Sequence, residues 1–249
     1  MKTERKRYYL LDEIRGITLL SMIAFHGVWD LVYIFGKEWK WFFSDASYWW
    51  QQSICWTFIF LSGFCFSLGR AKLKRGLLVF GAGAIVSMVT MLFMPAQCVR
   101  YGVLTLLGSC MLLLYFLEKI LEKLPALVGM AISMFLFFLT RNVNEGYFGF
   151  EDFRLLKLPI SLYEKNEFMT YLGFPYRGFY STDYFSLIPW LFLFVSGYYF
   201  FKVCKQKEWL GIFAKSSPLA MVLQPIGKYS LWIYLLHQPV IYGVLWILA

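Results

Sequence analysis

The stretch RGITLLSMIAFH, from Arg15 to His26, places an arginine and a histidine on one apolar segment long enough to enter a membrane. Eleven positions separate the two residues, so they return to the same face of an α-helix, roughly 16 Å apart along its axis. Asp30 lies one turn beyond His26, where its carboxylate is placed to accept a hydrogen bond from the ring. Ionisable groups are costly at that depth, so we interpret this face as functional rather than as a snorkelling arginine above a packed histidine.

The composition predicts an integral membrane protein. The apolar set AVILMFWYC makes up 59% of the chain and charged residues make up 16%, against about 45–50% and about 25% in soluble domains. The net charge of +9 comes from basic blocks between apolar runs, a pattern of cytoplasmic loops rather than of nucleic-acid binding. The five cysteines form no CxxC pair, so the sequence indicates neither a disulfide framework nor a metal site.

We predict an all-α bundle, with residues 1–249 forming one transmembrane domain. About seven apolar runs approach the roughly 20 residues that a spanning helix needs, and they cover about 10–35, 54–69, 77–94, 101–117, 124–140, 184–201 and 228–248. The second run is short and is expected to extend back through YWWQQS. Small residues in the second and third runs, such as Gly63, Gly81 and Gly83, favour close helix packing.

The distribution of basic residues predicts a cytoplasmic N-terminus and an uncleaved first span. The inner segments then hold most of the lysines and arginines, including Lys2, Arg5, Lys6 and Arg7 before the first span. Loop 141–183 is placed outside. Its length and aromatic content suit either a lid over an acceptor or a structural cover.

The last predicted span carries the second of the two histidines. His237 follows Lys228 by nine residues, which puts it roughly 13 Å deep, a depth similar to that of His26 from the same side. At the outer mouth of the sixth span, the stretch STDYFSLIPWLFLF contains Asp183, which is either a helix N-cap or a substrate contact. Tyr184 and Trp190 of the same stretch are further candidate substrate contacts.

Several stretches resemble the bacterial relatives of lysosomal heparan-alpha-glucosaminide N-acetyltransferase, within the transmembrane acyltransferases that include acyltransferase family 3. They are LLDEIRGITLLSMIAFHGVWDL, FIFLSGFCFSLG, DYFSLIPW and IGKYSLWIYLLHQP. The Arg-x10-His spacing is similar to the motif of acyltransferase family 3. The resemblance implies a cytoplasmic acyl-CoA donor, here acetyl-CoA, and a sugar or glycan acceptor on the outer side. The resemblance also suggests that Arg15, His26 and His237 are functional residues.

The residues and the resemblance together predict an acyltransferase of the cell membrane, in bacteria the inner membrane. His26 is the expected general base or acyl carrier, with Asp30 and His237 beside it. The CoA nucleotide is expected to dock among basic residues at the inner mouth, namely Arg15, Arg70, Lys72, Lys74, Arg75 and Lys228.

Two other classes of protein stay open at this point. A proton-coupled transporter would use His26, Asp30 and His237 as a relay, and a structural membrane subunit would leave that face unexplained. The expected partners are membrane lipids, acyl-CoA and the acceptor, without nucleic acid, and the chain is also a candidate homodimer.

Overall fold

The computed structural model describes residues 7–248 and is mostly helical (73%). The α-helices of this part are α1 (Tyr9–Tyr33), α2 (Asp45–Phe66), α3 (Lys72–Phe93), α4 (Val103–Leu121), α5 (Ala126–Leu139), α6 (Glu167–Leu172), α7 (Leu187–Gln206), α8 (Ala220–Lys228) and α9 (Ser230–Leu248). The basic residues Lys2, Arg5 and Lys6 lie outside the described residues. The predicted backward extension of the second apolar run is confirmed, because α2 begins at Asp45.

Within residues 7–248, five helices are long and apolar enough to cross a membrane, namely α1, α3, α4, α7 and α9. This finding is consistent with a multi-pass membrane protein. The apolar helix α5 is shorter, with 14 residues, and α2 begins in a polar stretch that includes Asp45, Gln51 and Gln52. The count of seven spans and the inward N-terminus therefore stay predictions.

The chain forms two compact units, and the first contains the residues up to Leu61 together with those from Cys204 onward. In this unit α1 packs along α8 and α9. Gly16 lies directly against the backbone carbonyl of Leu223, and Gly227 lies against that of Asp12, so each helix presents a glycine to the backbone of the other. A buried apolar cluster supports the middle of α1 and consists of Leu19, Met22, Phe25, Phe42 and Ile54.

The second unit runs from Ser62 to Val203. Helices α3 and α4 pack closely in it, and Gly83 of α3 lies against the backbone of Thr105 in α4. Gly63 lies against the backbone of Phe194 in α7. The packing role predicted for these two glycines is confirmed, whereas a Cβ on Gly81 would face open space.

Loop 141–183 departs from the all-α prediction because it contains a β-hairpin. Strands β1 (Tyr147–Phe150) and β2 (Phe153–Lys157) pair antiparallel, with a bulge between Phe148 and Gly149. Aromatic residues and short apolar runs favour extended backbone. Gly149 has φ +143° and lies against the backbone of Phe153, a conformation and an approach that glycine accommodates. The aromatic runs and Gly149 are visible in the sequence, but the runs are too short to predict strands within a helical chain.

Candidate active site

The N-terminal end of α1 carries a network of charged side chains. Arg15 Nη1 donates to Asp12 Oδ1 at 3.2 Å, and Arg7 Nη2 donates to Asp12 Oδ2 at 3.0 Å. Asp12 therefore lies between two guanidinium groups. Asp12 precedes Arg15 by about one helical turn, so the ion pair orients the Arg15 side chain. The Asp12 carboxylate also offsets part of the positive charge at this end of the unit.

Glu13 fixes the segment that precedes α8 to α1. Its side chain is 2% exposed, and it accepts hydrogen bonds from the backbone N–H of Ser217 at 3.1 Å and from Gln224 Nε2 at 2.9 Å. A buried carboxylate needs such donors, because an unpaired one would be strongly unfavourable. Sequence patterns do not predict this contact, which joins residues more than 200 positions apart.

An open pocket of about 530 Å³ lies at the same end of the first unit. Its lining consists of Arg7, Tyr9, Ser216, Ala220, Met221, Gln224, Pro225, Lys228 and Tyr229. Lys228 Nζ lies 5.2 Å from the centroid of the Tyr229 ring, and in the described part of the chain it forms no ion pair. The pocket therefore combines positive charge, polar groups and aromatic rings.

The two histidines come together between α1 and α9. The ring centroids of His26 and His237 are 4.8 Å apart, with the rings inclined at 63°. His237 Nδ1 lies 2.5 Å from the carbonyl oxygen of Tyr234. Because a carbonyl oxygen only accepts hydrogen bonds, Nδ1 carries the hydrogen, and in the neutral ring Nε2 has the lone pair.

Asp30 has a different partner from the one that the spacing suggested. Its side chain is completely buried, and Oδ1 accepts a hydrogen bond of 2.6 Å from Gln238 Nε2 on α9 rather than from His26. His26 and Asp30 are one turn apart on α1, so each meets one of two consecutive residues of α9. The contact between Asp30 and Gln238 therefore lies next to the histidine pair.

Four of the basic residues predicted to bind CoA belong to the second unit. Lys72 donates to both carboxylate oxygens of Glu118, at 2.6 and 2.7 Å, which offsets its charge. Arg70 and Lys74 are exposed, and the guanidinium group of Arg75 lies beside Gly69. The remaining two predicted residues, Arg15 and Lys228, belong to the first unit.

The predicted substrate contacts Asp183, Tyr184 and Trp190 have structural partners in the second unit. Asp183 Oδ2 accepts a hydrogen bond of 3.1 Å from the backbone N–H of Val103, so it caps the N-terminus of α4 rather than that of its own helix. Tyr184 donates to the carbonyl of Thr170 at 2.5 Å. Trp190 is 5% exposed. Their role toward substrate stays a prediction.

A polar cluster in the same unit joins α6 to the segment before α4. Glu167 Oε2 accepts from Arg100 at 2.6 Å and from the Tyr101 hydroxyl at 3.0 Å. Desolvation opposes ionisation of Glu167, but the hydrogen bonds from Arg100 and Tyr101 outweigh it and hold its pKa below the ordinary value. Phe179 lies under the Arg100 guanidinium, so side chains of loop 141–183 bind the segment before α4.

A family model described as heparan-alpha-glucosaminide N-acetyltransferase, catalytic, matches residues 7–239. The chain belongs to this family. The match includes α1, both histidines, Asp30 and Gln238, and it indicates a membrane acetyltransferase. Comparison with curated proteins and with solved structures gave no match.

In this member of the heparan-alpha-glucosaminide N-acetyltransferase family, sequence patterns did not predict that Gln238, Glu13 and Gln224 would be site residues. Gln238 stands next to His237, and that adjacency was the available signal, but its partner is on α1. Among residues 7–248, the His, Cys, Asp and Glu side chains form no group of three or more that could hold a metal ion.

Proposed function

We propose that the protein transfers an acetyl group from acetyl-CoA at the cytoplasmic face to a sugar or glycan acceptor from the outer side. The observation that carries this proposal is the histidine pair, which lies about one pantetheine arm away from a basic pocket. The family membership supports the acetyl group and the membrane setting. Asp183, Tyr184 and Trp190 are retained as proposed acceptor contacts.

The distance from the pocket to the histidines follows from α8 and α9. Lys228 and Tyr229 of the pocket directly precede α9, which begins at Ser230. His237 is seven residues into α9, roughly 10 Å along its axis from Ser230. The extended pantetheine arm spans roughly 16 Å from its sulfur to the nearest phosphorus, if each bond extends the arm as far as a bond in an extended peptide backbone does.

The donor would bind through its negative charge at the pocket. Phosphate groups are favoured near Arg7 and Lys228, and Tyr229 offers an aromatic face to the adenine. Arg15, whose guanidinium is held by Asp12, lies farther along α1 toward His26. The arm would then place the thioester carbonyl near the histidines. The basic residues of the second unit, Arg70 to Arg75, are retained as proposed further contacts.

The reaction needs one proton acceptor. The acceptor oxygen or nitrogen forms a bond to the acetyl carbonyl carbon, the carbon–sulfur bond breaks, and the acceptor proton moves to a histidine nitrogen and then to the departing thiolate. The sequence alone assigned the base to His26. The hydrogen bond from His237 Nδ1 to Tyr234 favours His237 Nε2 as the general base instead. The His26 ring then packs against the His237 ring and positions it.

Acetyl-CoA-dependent acetylation tests this proposal. Purified protein in lipid nanodiscs would receive labelled acetyl-CoA and glucosamine, a probe chosen from the family's name, and we expect labelled product and free CoA in equal amounts. Movement of glucosamine across proteoliposomes without acetyl-CoA, and no acetylated product, would favour the proton-coupled transporter.

We predict that Lys228→Gln weakens CoA binding about three- to tenfold, as expected for loss of one charge-assisted contact. The loss should be larger at low ionic strength, where charges are screened least. Isothermal titration of CoA at two salt concentrations measures it.

Two further variants locate the donor site. Arg15→Ala should weaken CoA binding in the same way as Lys228→Gln. Arg154→Gln is the matched control, because Arg154 is an exposed arginine of β2. An equal loss in Arg154→Gln would contradict a donor site at the inner end of the first unit.

The proposed orientation is tested by cysteine labelling. Lys165 in loop 141–183 and Lys207 after α7 are both exposed, so Lys165→Cys should react with an impermeant maleimide on intact cells, and Lys207→Cys should react after lysis. Mapping of the labelled peptides separates them from native cysteines. Gly146 is less suitable because its φ of +91° would strain a cysteine. The reverse labelling pattern would invert the topology.

A further inference from the structure

Three hydrogen-bond acceptors in the first unit have no donor from the described residues. They are Asp30 Oδ2, Gln238 Oε1 and His237 Nε2, and all three atoms are buried. Buried polar atoms are normally satisfied, so each exception needs an explanation. Here the exceptions are grouped in two consecutive residues of α9 and the α1 residue that one of them binds.

His237 contributes an acceptor because its tautomer is fixed. Nδ1 carries the hydrogen that bonds to Tyr234, which leaves Nε2 with its lone pair. The His26 ring lies 4.8 Å away on one side. The free nitrogen is therefore available to a group that brings its own hydrogen.

Gln238 contributes an acceptor because its amide orientation is fixed in the same way. The carboxylate of Asp30 accepts hydrogen bonds, so the amide NH2 must face it, as the 2.6 Å contact requires. The amide oxygen then points away from Asp30 Oδ1. Gln238 thus uses one end of its amide to hold Asp30 and leaves the other end unpaired.

Asp30 is the strongest acceptor of the three. It is completely buried, it is absent from the ion pairs of residues 7–248, and one hydrogen bond stabilises it. A buried carboxyl group in this state gains from any further donor. With Asp30 ionised, the three atoms together offer hydrogen-bond acceptors, so the group that complements them carries several N–H or O–H bonds.

We propose that Gln238 is an acceptor-binding residue: its amide oxygen, Asp30 Oδ2 and His237 Nε2 accept hydrogen bonds from the N–H or O–H groups of the molecule that receives the acetyl group. This inference rests on the proposed function. It gives Asp30 the task of holding the acceptor rather than orienting His26, and it assigns a task to Gln238, which the spacing of charged residues did not single out.

The test compares Gln238→Leu with wild type in nanodiscs, using glucosamine and acetyl-CoA. Loss of the amide removes one acceptor and releases Asp30, so the KM for glucosamine should rise at least about tenfold, as expected when paired polar groups are left unpaired. The KM for acetyl-CoA should change less than about twofold, because Lys228 and Tyr229 of the pocket precede Gln238 by ten and nine residues. Gln51→Leu is the matched control, since Gln51 is exposed on α2.

A second variant keeps the proposal testable if Gln238→Leu does not fold. In Gln238→Glu two carboxyl groups face each other. They can form a hydrogen bond in place of the amide contact only when one of them carries a proton. The KM for glucosamine should then fall toward the wild-type value as the pH is lowered, while CoA binding, measured in parallel, stays constant. An ordinary packing role for Gln238 predicts parallel changes in both.

The outcomes separate this inference from the proposed function. Normal glucosamine KM in both variants, with wild-type transfer intact, would overturn the subsite. If wild type transfers no acetyl group, the proposed function fails, and calorimetric binding of glucosamine without acetyl-CoA decides the subsite alone. Binding by wild type and its loss in Gln238→Leu would support it, and absence of binding by wild type would overturn it.

Discussion

His237→Gln lowers kcat for acetyl transfer by about 10³-fold, within the 10²–10⁴-fold range of a general base. Glutamine is similar in size and can still donate to the carbonyl of Tyr234, but it has no nitrogen lone pair to take a proton. His26→Gln should lower kcat only about tenfold, because a polar side chain still supports the ring of His237 and small misplacements cost less than about 10²-fold. Single-turnover transfer from labelled acetyl-CoA to glucosamine measures both.

CoA binding is the control for both histidine variants. It should stay within about twofold of wild type, because Arg7, Arg15 and Lys228 lie more than two turns of helix from either histidine. A deeper loss in His26→Gln than in His237→Gln would return the base to His26, as the sequence alone indicated. Near-normal rates in both variants would make the pair a packing contact.

Gly227→Ala destabilises the first unit by about 1–3 kcal/mol or more, the usual cost of overpacking. The added Cβ would meet the backbone carbonyl of Asp12, and in Gly16→Ala it would meet that of Leu223. Backbone atoms move away less easily than the end of a side chain, so α1 and α8 must separate. Thermal unfolding in detergent, followed by light scattering and intrinsic fluorescence, measures the loss. Because Asp12 holds Arg15, both variants should also bind CoA more weakly.

Gly81→Ala provides the matched control for these two substitutions. Gly81 lies within α3, and a Cβ there has nothing within 4 Å. Alanine is a better helix former than glycine by about 0.5–1 kcal/mol, so this variant should be as stable as wild type or slightly more stable. Equal stability of Gly227→Ala and Gly81→Ala would show that the α1–α8 contact is looser than described.

Helical periodicity predicted much of the site. The depth of His26 and of His237 follows from counting residues along each apolar run, and the rings do meet. The Asp12–Arg15 contact, between residues three positions apart, is also local to one helix. These features depend on rise and rotation within one helix, which a sequence specifies directly.

Contacts between helices were harder to predict. Asp30 is spaced to meet His26 on its own helix, but the amide of Gln238 on α9 is the partner that it has. Asp183 precedes α7, yet it caps α4. Each residue was identified as polar and well placed, but its partner depends on helix rotation and tertiary packing, to which hydrophobic periodicity is insensitive. Dimerisation also stays a prediction for the same reason.

The pairing of α1 with α9 sets the order in which the site is assembled during synthesis. Asp30 and Gln238 are 208 residues apart, so at ~5–20 residues per second the ribosome needs about 10–40 s to reach the second after the first. During that interval α1 is in the membrane with His26 and Asp30 but without the side chains that complete the cluster. A buried carboxyl group without donors is unfavourable in lipid, so α1 gains its full stability only when the last helix arrives.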